Sequence, residues 1–66
     1  MQLVINGETK EVGPVATVAQ LITALDLGEG KVAVELNGKV VPRSAHDKQN
    51  LAANDKLEIV QAIGGG

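Results

Sequence analysis

The chain has 66 residues, 44% of them hydrophobic, with no cysteine, one histidine and a formal net charge of -2. That length supports one small core and excludes a second domain or a deep catalytic cleft, and the absence of cysteine excludes a disulfide framework and a thiol nucleophile. The basic residues Lys10, Lys31, Lys39, Arg43, Lys48 and Lys56 are scattered among eight acids, and aromatic content is 0%. Neither the basic stripe nor the stacking platforms of a nucleic-acid reader are present. No run approaches the roughly 18 apolar residues of a membrane span, and Met1-Gln2 does not open a signal peptide, so a soluble, cytoplasmic protein with no membrane partner is expected.

In chain order, Leu3 to Ile5, Asn6-Gly7 and Glu8 to Val12 predict a hairpin, because Asn-Gly accepts the positive φ values of a tight turn between twisted strands. Gly13-Pro14 ends the second strand. Thr17 three residues before Gln20 has the spacing of a capping box, and Val18, Leu21, Ile22 and Leu25 follow at i, i+3, i+4 and i+7. A helix with one buried face results, and Gly28 is its expected stop. Val32, Val34 and Leu36 alternate with Ala33, Glu35 and Asn37, predicting a half-buried strand that enters a second Asn-Gly turn at Asn37-Gly38. Lys39 to Val41 returns beside it until Pro42.

Arg43 to Asn54 has neither period and reads as an irregular connection with one short helical turn and Leu51 directed inward. Leu57 to Ala62 forms the last strand, with Leu57 and Ile59 facing the core. The order is ββαβββ, an α+β domain over residues 1–63 followed by a flexible glycine tail at 64–66. One helix crossing a mixed sheet, with the last strand central beside the first, buries both apolar faces in two layers. An open α+β sandwich with another strand order satisfies the same periodicities.

Most candidate chemistry dissolves on inspection. Gly28-Glu29-Gly30-Lys31 lacks the Ser or Thr of a phosphate loop and leaves a helix instead of opening one. Ser44 and His46 have no neighbouring oxyanion hole and read as a solvated loop pair. His46, Asp47 and Asp55 lack metal-ligand spacing, so neither a metal site nor a catalytic residue is expected.

Gly64-Gly65-Gly66 is different, because it follows Ile63 without a polar linker and brings a main-chain carboxylate onto a residue with no side chain. A frayed or added tail is the plain alternative. Functionally, three glycines form a narrow strand able to thread a channel where any Cβ clashes, so Gly64 and Gly65 would deliver the Gly66 carboxylate to another protein's active site. A carboxylate is a poor electrophile. Adenylation by ATP makes it a mixed anhydride, from which a sulfur nucleophile displaces AMP. This chain has neither a cysteine nor a phosphate-cradling loop, so sulfur and adenylating machinery must come from partners, and the chain is carrier and co-substrate, not enzyme. Strand alternation also directs Val60, Ala62 and Val4 away from the core, and with Ile63 these form a candidate docking patch around the tail's root.

The chain resembles the ThiS family of ubiquitin-like β-grasp sulfur carriers over nearly its whole length. The resemblance is carried by Met1-Gln2-Leu3 with Asn6-Gly7-Glu8, Ala16-Thr17-Val18, Val32-Ala33-Val34-Glu35, Asn37-Gly38, Val41-Pro42-Arg43-Ser44 with His46, Leu57-Glu58-Ile59-Val60 and Ala62-Ile63-Gly64-Gly65-Gly66. The Gly-Gly ending alone is shared with ubiquitin-like modifiers and the small subunit of molybdopterin synthase. Compact length and Pro42-Arg43-Ser44 followed by His46 point to the thiamine branch. The resemblance implies a thiocarboxylate on Gly66, formed after adenylation by a ThiF-type enzyme with ATP and a sulfur donor protein, and consumed by a ThiG-type thiazole synthase. Residues 28–31 match no pattern of that family and are given no function. The nearest alternative is a sulfur carrier of the same chemical class for another acceptor, such as tRNA, a molybdopterin precursor or an amino-acid precursor; alternatives of other classes are a modifier of target lysines and an interaction module with an inert tail.

Overall fold

The computed structural model describes residues 1–27 and 31–62. Two hairpins form where Asn-Gly was expected. Strands β1 (Gln2–Ile5) and β2 (Glu8–Glu11) join through Asn6 at φ 52° and Gly7 at 82°, and β3 (Lys31–Leu36) and β4 (Lys39–Val41) join through Asn37 at 52° and Gly38 at 87°. Two consecutive positive φ values give the turn twist that matches the strands. Helix α1 spans Val18–Ala24, a 3₁₀ turn spans Arg43–Ala45, and β5 spans Lys56–Ala62.

The sheet order is β2-β1-β5-β3-β4, with β5 parallel to β1 and antiparallel to β3. The last strand is therefore central, as expected for a ubiquitin-like β-grasp domain. The two edges are managed differently. Glu8, Thr9, Lys10 and Glu11 leave β2 wholly exposed and charged, and β4 is only three residues long before Pro42. Both devices discourage pairing with another chain.

One helix-facing surface of the sheet makes the core. Leu3 and Ile5 from β1, Val34 from β3, Val41 from β4 and Leu57 and Ile59 from β5 are buried against Val18 and Leu21 of α1. Ile22 and Leu25 close the margin, half-buried, and Leu51 packs inward from the long connection as its sequence suggests. Burying each such side chain contributes roughly 1.5–3 kcal/mol, which makes the sheet–helix contact the main stabilising term of so small a domain.

The start of α1 is capped by more than its own residues. Thr17 Oγ1 accepts from Gln20 N at 3.2 Å, and Gln20 Oε1 accepts from Ala16 N at 2.7 Å, one residue earlier than in a standard capping box. The other free N–H groups reach the connection after β4: Val18 N donates to Gln49 O at 3.0 Å and Ala19 N to His46 O at 2.8 Å. Leu51 N donates back to Ala16 O at 2.9 Å. A segment without periodicity thus supplies the carbonyls that a helix start requires.

The helix ends earlier than expected. Ala24 is its last residue, Leu25 the cap, and Asp26 takes the left-handed conformation at φ 55°, with its N–H donating to Thr23 O at 3.0 Å. Asp tolerates that region because its short polar side chain bonds locally, so the stop precedes Gly28, which lies outside the described residues. The boundary expected between residues 63 and 64 also lies outside them.

Candidate functional site: the strand that leads into the tail

Strand β5 carries the chain toward Ile63, Gly64, Gly65 and Gly66, which all lie outside the described residues. What the structure does show is how firmly that strand is seated. On one side it pairs with β3 along its length, from Leu36 opposite Leu57 to Lys31 opposite Ala62. On the other side β1 runs out after Ile5, and the side chain of Asn6 takes over. Its Oδ1 accepts from Ile59 N at 2.7 Å and its Nδ2 donates to Ile59 O at 3.0 Å. The primary amide thereby reproduces the donor–acceptor pair of one more strand residue.

The second turn asparagine does the same at the strand's start. Asn37 Oδ1 accepts from Lys56 N at 3.0 Å, Asn37 N donates to Lys56 O at 2.7 Å, and Asn37 Nδ2 donates to Asp55 Oδ1 at 3.1 Å. Each Asn-Gly turn therefore both reverses a hairpin and braces β5. Near the strand's far end Gln61 Nε2 donates to Leu27 O beyond the helix. Sequence reading assigned Asn6 and Asn37 to turns and missed the bracing. An Asn at the first turn position, where Gly or Asp would also fit, was the available sign.

The candidate docking residues fall at two places. Val60 is 64% exposed on the sheet face opposite α1 and lies directly across from Ala33. Ala62 lies across from Lys31. Val4 is half-buried and pairs beside Lys56, four residues before Val60, or about 13 Å along the strand. Val4 is thus on the expected face but at the other end of β5, and the register does not join it to Val60 in one patch.

His46 departs from its expected place. It is buried, whereas Ser44 two residues earlier is exposed, so the two are not a solvated pair. Its ring Nε2 lies 3.2 Å from Val41 O. A carbonyl only accepts, so Nε2 carries the hydrogen. His46→Ala should remove this bond and leave a gap, costing roughly 2 kcal/mol in denaturant unfolding, with no effect on chemistry at the tail. Asp55 accepts from Ala52 N at 2.8 Å and serves the turn before β5. No cluster of three potential metal ligands exists among the described residues, and no helix there is long and apolar enough to cross a membrane.

A five-stranded mixed sheet under one helix, with its central last strand leading to the glycines, has the architecture of the ubiquitin-like β-grasp class. Comparison narrows this. The family model "ThiS family" matches residues 3–66, and the chain belongs to that family. The crystal structure of the thiamine biosynthesis protein ThiS from Geobacter metallireducens is 35% identical and superposes with a TM-score of 0.83, covering 100% of both chains. The thiazole synthase of Paramagnetospirillum magneticum is 46% identical over 66 residues, which are 100% of this chain and 20% of that protein. An uncharacterized protein, ycf40 of Pyropia yezoensis, is 36% identical over 62 residues, covering 94% of this chain and 87% of its own. This chain spans about a fifth of the length of the thiazole synthases that it matches.

Proposed function

We propose that this chain is the sulfur carrier for thiazole formation in thiamine biosynthesis, with the carboxylate of Gly66 as its working group. The observation that carries the reading is the family match through Gly66 on a domain whose best-braced strand leads directly into that tail. In the first step a carboxylate oxygen of Gly66 attacks the α-phosphorus of ATP on a ThiF-type enzyme, and pyrophosphate leaves. Hydrosulfide delivered by a donor protein then attacks the acyl carbon, AMP leaves, and the thiocarboxylate so formed is spent by a ThiG-type thiazole synthase. This chain contributes the acyl group and its presentation, binds no cofactor itself, and acts in the cytoplasm as co-substrate. Gly64 and Gly65 thread the partner's channel, while the exposed sheet face with Val60 and Ala62, together with Ile63, meets the partner's surface.

Thiazole is favoured over tRNA or molybdopterin as destination because long relatives named thiazole synthase contain a region matching this whole chain. Incubation with the adenylating enzyme, ATP and a sulfur donor should raise the intact mass by the exchange of one oxygen for sulfur. Top-down fragmentation should place that change on Gly66. A gain elsewhere, or none with active enzymes, removes the proposal, and conjugates on target lysines would replace it with a modifier role.

A further inference from the structure

The sheet face not covered by α1 has an unusual charge arrangement. Glu35 on β3 stands directly opposite Glu58 on β5, and on its other side Glu35 pairs with Val40 on β4. Both acids are exposed, and neither has a salt-bridge partner among the described residues. Like charges directly opposite on neighbouring strands destabilise a sheet, and this domain has little core with which to offset the cost. Val40, 73% exposed, stands across from Glu35 on β4, and Val60, 64% exposed, lies two residues along β5 from Glu58, with exposed Lys56 two residues the other way; the valines are the two most exposed large hydrophobic residues of the described chain.

We propose that this face docks a protein surface presenting arginine between apolar side chains, and that the surface belongs to the thiazole synthase; the choice of enzyme rests on the function proposed above. Opposed carboxylates spring from Cβ atoms about 5 Å apart, close enough for one planar guanidinium to bond both. The flanking valines supply the apolar ground on which such a contact is desolvated. Nucleic acid is disfavoured as occupant because its phosphates would meet two carboxylates. A second copy is disfavoured as well, since a two-fold contact through this face sets the acid pair against its own image. The location also fits, because Glu58 and Val60 sit on the strand that leads into the tail, so a protein seated here is positioned to receive Gly66.

The test is the double variant Glu35→Gln, Glu58→Gln, which keeps shape and removes both charges. Titration calorimetry against the source organism's thiazole synthase, at low and moderate salt, should show affinity falling about tenfold at low salt and losing most of its salt dependence. The same variant should melt about 2–4 °C higher, because the repulsion is relieved. Unchanged affinity and salt dependence overturn the charge inference alone. Weaker binding accompanied by a lower melting temperature also overturns it, by assigning the acids a structural role. No binding by the parent chain overturns the thiazole synthase reading, and the inference with it.

Discussion

Gly65→Val is expected to lose ATP-dependent activation by on the order of a hundredfold while the fold melts as before. The change leaves Gly66 and the net charge intact and alters only the shape of the chain beside the reacting carboxylate. A branched side chain restricts the backbone and widens a segment that, in the proposed function, passes through a channel fitted to glycine. Displacement of a reacting group by about 1 Å is enough to cost a hundredfold in rate. Stability should change by no more than about 0.5 kcal/mol, the usual range for substitutions away from packing. Pyrophosphate exchange with the adenylating enzyme and circular-dichroism melts on one preparation read both quantities. Full exchange activity would remove the channel argument, and a collapsed melt would show that the tail is packed into the fold.

The second large effect concerns stability and lies 53 residues away in sequence from its partner, at Asn6. Asn6→Gly retains freedom for the left-handed turn at φ 52° but deletes the amide that bonds both Ile59 N and Ile59 O. Two part-buried main-chain groups then lose their partners, for an expected cost of roughly 2–3 kcal/mol and a fall in melting temperature of roughly 10–20 °C. Asn6→Ala should cost about 1 kcal/mol more, because a Cβ without a local hydrogen bond is strained in that region. Chemical denaturation of the pair separates the two contributions. If the glycine variant matches the parent, β5 is held by its ladder to β3 alone.

These two sites illustrate what periodicity and turn chemistry reveal. Hairpins at Asn6-Gly7 and Asn37-Gly38, the helix start at Thr17 and the inward set Leu57 and Ile59 were legible because each depends on residues within a few positions of one another. The bracing of β5 was not, since it joins residues distant in sequence and uses an amide that also suits a plain turn. Capping of α1 by His46 O and Gln49 O was invisible for a different reason: backbone carbonyls leave no mark in the residue types. The stop at Asp26 was not legible because Gly28, two residues on, is by residue type the better left-handed candidate. In the candidate site, alternation correctly sent Val60 outward. Only register, with Val4 beside Lys56 and Glu35 across from Glu58, revealed which outward residues share a neighbourhood.

The central place of β5 also governs the order in which the domain can assemble. β1 and β3 are not neighbours in the sheet, so the two hairpins stay unconnected until β5 enters between them. Each hairpin can close locally in about 1–10 μs, but joining Val4 to Lys56 and Ile5 to Leu57 closes a loop of most of the chain. That entropy is lost before the contacts that reward it are made, which puts folding with the slower mixed topologies and not with helical bundles. A nascent chain that has emerged only as far as Asp55 therefore holds both sheet halves with their inner strand edges open and the core of Leu3, Ile5 and Val34 without Leu57 and Ile59, the state in which this domain is most exposed to aggregation.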